Sequence, residues 1–108
     1  MDNNKKSKEV LDEKLINELR EEFAKLTVKD FLSQTLATIS TLAYQKMGIP
    51  SSCLQYKDLD QAKLAIDAFA ELFKTLQSSM DQREIDAFNE VLTQMRIEFV
   101  KKSNESDT

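Results

Sequence analysis

The sequence predicts an all-α fold: a small bundle of three core helices plus an amphipathic N-terminal helix, the last two helices forming an antiparallel hairpin. Three observations predict it. One Gly and one Pro in 108 residues leave little punctuation for turns. Apolar residues recur at alternating spacings of three and four along two segments, the seams of packed helices. Asp-x-x-Gln and Asp-x-x-Glu, patterns that satisfy free N–H groups at helix starts, open those same segments. At this length one domain is expected, able to bury about two-thirds of its chain surface.

The polar ends, residues 1–8 (MDNNKKSK) and 103–108 (SNESDT), are expected to be disordered tails around a single helical domain at 9–102. The first helix is placed at 9–25. Leu11, Leu15, Leu19 and Phe23 repeat every four residues, with Ile16 and Leu26 beside them and polar or charged residues elsewhere. A stripe that narrow drifts around the helix and would be marginal alone. It is expected to lie on another surface or to pair as a short coiled coil.

The second helix, 28–47, is the element around which the chain is organised. Residues 31–45 carry no charge in a protein that is 31% charged. Thr27 is its expected N-cap, and Asp30 suits the positive end of the helix dipole. On a helical wheel Val28, Phe31, Leu32, Leu36, Ile39, Leu42, Ala43 and Met47 share an arc of roughly 160°, wider than an ordinary apolar stripe. The other side carries Ser33, Ala37, Ser40, Thr41 and Tyr44, where a surface helix would place Lys and Glu. Small neutral residues let a second backbone approach closely. Two covers are expected for that side: the chain's own bundle, or a second subunit meeting Ser33, Ala37, Ser40 and Tyr44. A membrane span is disfavoured, because the run falls short of the ~20 apolar residues needed.

Gly48 is expected to end this helix as a C′ residue, with Pro50 forbidding its continuation. Residues 49–57 (IPSSCLQYK) form the one internal loop. The third helix, 59–76, opens at Asp58 with Gln61 three positions on, and its seam is Leu59, Ala62, Ile66, Phe69, Phe73 and Leu76. After a short turn at 77–80, Asp81 with Glu84 opens the fourth helix, 82–102. Its seam is Ile85, Phe88, Leu92, Met95 and Phe99. Counting outward from the turn pairs Phe73 with Ile85, Phe69 with Phe88, and Ile66 with Leu92.

The segments DFLSQTLATISTLAYQKMGI, LDQAKLAIDAFAELFKTLQ and MRIEFVKK, over about residues 30–101, resemble a bacterial family catalogued as a domain of unknown function, number 1844. The resemblance covers about two-thirds of the chain and is one of helix pattern. The chain departs from the family at SSCLQYK, where the family carries more turn-forming residues. The resemblance implies a small, helical, cytoplasmic bacterial protein and brings no functional residues with it.

Composition narrows the chemistry. The net charge of −4 and a pI near 4.9 argue against a nucleic-acid partner or an anionic membrane surface. Lys5, Lys6 and Lys8 at one end and Lys101 and Lys102 at the other read as solvating groups. One thiol, Cys53, allows neither an intrachain disulfide nor a cysteine metal cage. The start shows no apolar segment after its lysines, so no secretory signal is read and a cytoplasmic location is expected. Histidine is absent, which removes Ser-His-Asp and Cys-His catalysis and the Glu-x-x-His di-iron sites of helical bundles.

The remaining polar candidates have ordinary explanations. Asp60, Asp67 and Glu71 recur along one flank of the third helix, and Asp86 and Glu90 stand four apart on the fourth. With Lys63 and Lys74 interspersed they read as a solvated face, short of the oxygens a hard cation needs. Arg96, between Leu92 and Phe99, reads as a side chain whose stem covers the core, with Asp58 or Asp60 as its partner. Leu64, Ile97 and Val100 lie off the seams and leave apolar surface. No catalytic, cofactor-binding or metal residue is assigned, and no cofactor. The leading functional reading is a non-enzymatic module that forms a homodimer or higher homo-oligomer and docks an unidentified protein partner. A structural protein without a specific partner comes second, and a carboxylate/metal-dependent enzyme third.

Overall fold

The computed structural model describes residues 2–106, with side chains placed over 9–105. It is all-α. Four α-helices, α1 (Asp2–Lys25), α2 (Val28–Lys46), α3 (Leu59–Leu76) and α4 (Gln82–Ser106), are joined by 3₁₀ turns at Ser51–Tyr56 and Gln77–Ser79. Among the described residues there is no strand.

Helix occupies 2–8 and 103–106, where the sequence reading expects tails. Those stretches contain Lys, Asn, Ser and Glu but neither Gly nor Pro, so nothing in them stops a helix already begun. Residues 1, 107 and 108 lie outside the described part. The chain forms two compact units, one within 1–31 and one within 32–108.

In the first unit, α1 closes at the bond from the Leu26 N–H to the Phe23 carbonyl (3.1 Å). The Asp30 N–H then donates to the Thr27 hydroxyl oxygen (3.0 Å), the expected N-cap of α2. The rings of Phe23 and Phe31 meet edge to face with centroids 5.6 Å apart. Every apolar residue of the α1 stripe is exposed.

The second unit holds the core. Leu36 and Ala43 of α2, Ile66, Phe69, Phe73 and Leu76 of α3, Met80, and Leu92 and Met95 of α4 form one buried cluster. Phe69, Phe73 and the half-buried Phe88 make a triangle of rings with centroids 6.0–6.3 Å apart, the offset range in which aromatic pairs attract. Phe69 and Phe88 are a pair that counting from the turn expects. The α3 seam is buried from Ala62 to Leu76, with Leu59 half-buried at its start.

The caps differ in one informative way. At α4 the box is reciprocal: the Glu84 N–H donates to the Asp81 carboxylate (2.9 Å) and the Asp81 N–H to that of Glu84 (3.4 Å). At α3 the Asp58 carboxylate accepts from the Gln61 N–H (3.2 Å), but the Asp58 N–H donates to the Lys46 carbonyl (2.8 Å). A tertiary bond satisfies that donor, so only half of the expected box forms. It also ties the end of α2 to the start of α3 across the 49–57 segment.

Gly48 ends α2 as expected. Its φ of +81° lies in the left-handed region. The Ile49 N–H donates to the Tyr44 carbonyl (2.9 Å) and the Gly48 N–H to that of Gln45 (3.0 Å), the two bonds of a Schellman cap. A Cβ at Gly48 would stand 3.1 Å from the Leu54 Cδ2, so both backbone and space oppose a side chain. Gly48→Ala is expected to cost about 1–2 kcal/mol in denaturant unfolding; an unchanged midpoint contradicts this account of the cap.

Candidate association surfaces

The uncharged face of α2 is set by what packs against it. Leu36, Ala43 and Met47 are fully buried, while Val28, Phe31 and Leu42, placed on the inward arc by the sequence reading, are exposed. The buried arc is therefore turned toward the small residues. Tyr44 packs against the core, and Ser33 and Ser40 are half-buried. Of the four residues considered for a subunit contact, only Ala37 is exposed outright.

Local bonds explain how this polar run stays helical. The hydroxyls of Ser40 and Thr41 both donate to the Ala37 carbonyl (2.8 and 3.1 Å), and that of Thr38 donates to the Gln34 carbonyl (3.1 Å). Such back-bonding satisfies a hydroxyl without a tertiary partner. The Ser33 Oγ is buried and has no hydrogen-bond partner. Ser40 and Tyr44 line a shallow groove whose other wall is Ala87, Glu90, Val91 and Gln94 of α4. Part of the small face is thus bordered by the chain's own fourth helix.

Burial first, and then the negative charge of Glu98, hold the Tyr44 phenol above its ordinary value of 10.0. Its proton is bound more tightly in the folded than in the unfolded chain. The associated stability is present below pH 10 and is lost as pH rises through the folded value. In a Tyr56→Phe background, which leaves one tyrosine, ultraviolet titration is expected to give a midpoint above 10, lowered by Glu98→Gln. A midpoint insensitive to Glu98→Gln contradicts the placement of that carboxylate beside the ring.

The polar candidates are scattered. Asp67 pairs with Lys63 (2.8 Å), and Asp86 accepts from the Gln82 amide (2.8 Å). Among the described residues no three carboxylate or thiol side chains gather as a metal-binding group. Cys53 is a free, half-buried thiol. Arg96 lines a groove between α3 and α4 with Lys63, Ile66, Asp67, Phe99 and Val100; the carboxylate in that groove is Asp67, not Asp58 or Asp60. Among the described residues no helix is long and apolar enough to cross a membrane.

Exposed apolar surface is the feature that stands out. On α1, Leu11 (64%), Leu19 (61%) and Phe23 (63%) are accessible, with Ile16, Leu19 and Phe23 lining a shallow groove beside Arg20. On α4, Ile97 and Val100 are exposed beside Arg96 and Lys101 and line a second groove. The wheel finds the α4 pair as off-seam residues. It misses Val28, Phe31 and Leu42, whose signal would have been the Ser and Tyr residues flanking Leu36 and Ala43. No family model, curated protein or solved structure matches the chain.

Proposed function

We propose that this chain is a non-enzymatic helical interaction module that associates with itself. The observation that carries the reading is the exposed stripe of α1. Six large apolar residues, Leu11, Leu15, Ile16, Leu19, Phe23 and Leu26, are accessible, and none of them belongs to the buried cluster. Leaving an apolar side chain exposed forgoes roughly 1.5–3 kcal/mol of burial, and contiguous apolar surface on this scale marks association. In this reading α2, α3 and α4 are the core, α3 and α4 are an antiparallel hairpin, and α1 is an associating arm. The cluster shared by α2, α3 and α4 and the tilted ring contacts of Phe88 with Phe69 and Phe73 support that arrangement.

The resemblance to the family numbered 1844 adds a cytoplasmic bacterial setting to the proposal. Light scattering on the full chain at tens of micromolar tests it, with a dimer or larger species expected and a monomer contradicting it. Ala37→Glu locates the contact. Loss of the dimer in that variant places it on the small face of α2, and a persisting dimer places it elsewhere.

A further inference from the structure

We infer that two copies exchange their first helices, the apolar stripe of α1 in one copy seating on the trough along the C-terminal half of α4 in the other. This deepens the self-association reading and rests on it. The trough is built from two grooves that share Arg96 and Val100: one along α4 with Ile97 and Lys101, the other reaching Ile66 and Phe99 beside α3. Its floor is apolar and its rim is basic. The two grooves are lined by three cations, Lys63, Arg96 and Lys101, and one carboxylate, Asp67, which pairs with Lys63 (2.8 Å).

The segment that carries the α1 stripe has the opposite net charge, although the charged residue lining its groove is Arg20. Residues 9–26 carry six carboxylates and three cations, for a net −3. Pairing α1 with a second α1 would set two acidic segments against each other, and pairing α4 with α4 would do the same with two basic grooves. Like charges across an interface are costly, whereas opposite rims steer and align two partners. These two exposed apolar surfaces therefore suit each other better than either suits itself. The net negative charge of residues 9–26 also makes nucleic acid or an anionic membrane a poor occupant of α1. In a two-fold dimer the contact is made twice, which helps one helix face per copy approach the roughly 1,200 Å² at which specific interfaces begin.

A charge-reversal cycle on the 108-residue chain tests this by sedimentation equilibrium in low salt. Four species are compared: wild type, the double variant Arg96→Glu/Lys101→Glu, the double variant Glu18→Lys/Glu22→Lys, and the combination of all four changes. All of these side chains are exposed, so helix content by circular dichroism is expected to stay at the wild-type level. Each double variant is expected to weaken the dimer roughly tenfold or more, and the combination to recover most of that loss. A wild-type dimer indifferent to both reversals, or a combination no tighter than either double variant, overturns the exchange while leaving self-association standing. A wild-type monomer overturns both.

Discussion

Leu36→Asp is expected to unfold residues 32–108. Leu36 is fully buried in the cluster that α2 shares with α3 and α4. Among the described residues no charged side chain is buried in that core to pair with a carboxylate. Placing an ionised group there without a partner costs several kcal/mol, on the order of the whole stability of a small domain. Ile39→Asp provides the comparison, because Ile39 packs at the edge of the same cluster and is half-buried. Its carboxylate can reach water by a small side-chain movement, so a clearly smaller loss is expected. Thermal melts followed by circular dichroism measure both. Similar melting of Leu36→Asp and wild type, or a larger loss for Ile39→Asp, contradicts the phase assigned to α2.

Phe69→Ala is the second large effect. Phe69 is fully buried, and its ring meets those of Phe73 and Phe88 with centroids 6.3 and 6.2 Å away. Truncation removes the transfer free energy of a phenyl ring and leaves a cavity where the ring triangle met, together about 3–5 kcal/mol. Phe88→Ala is expected to cost less, because Phe88 is only half-buried. Denaturant unfolding should show a lower midpoint with an unchanged slope for both variants. Equal losses would mean that the two rings are equally enclosed.

Much of this fold is legible in the sequence because local chemistry dictates it. The α3 seam of Ala62, Ile66, Phe69, Phe73 and Leu76 is buried as its spacing implies. Thr27, Gly48, Asp58 and Asp81 stand at helix ends because each satisfies a backbone group or adopts a backbone angle that other residues meet poorly. The phase of α2 is not legible in the same way. Its apolar arc is wider than one contact, and its other side lacks the charges that would mark the direction of water. Which part is buried depends on where α3 and α4 lie, a tertiary fact that leaves Phe31 and Leu42 outside and draws Tyr44 against the core. The half-formed box at Asp58 has the same cause, since a distant carbonyl, that of Lys46, takes the N–H.

The candidate surfaces were partly readable. Leu11, Leu15, Leu19 and Phe23 announce a stripe that needs a cover, and Ile97 and Val100 announce themselves by lying off their seam. The four small-face residues do not behave as a set. Side-chain size permits a close approach without saying whose backbone makes it, and Ala37 alone of the four is exposed.

Self-association is the central claim, and the melting temperature of the full chain as a function of its own concentration tests it most directly. Association of folded copies stabilises the folded state by mass action. Raising the concentration a hundredfold, from about 1 to about 100 μM, is expected to raise the melting temperature by roughly 5 °C. Arg96→Glu/Lys101→Glu should flatten that dependence if the trough is the docking surface. A melting temperature that stays constant across the whole range in the wild type would contradict self-association and leave the α1 stripe without its proposed partner.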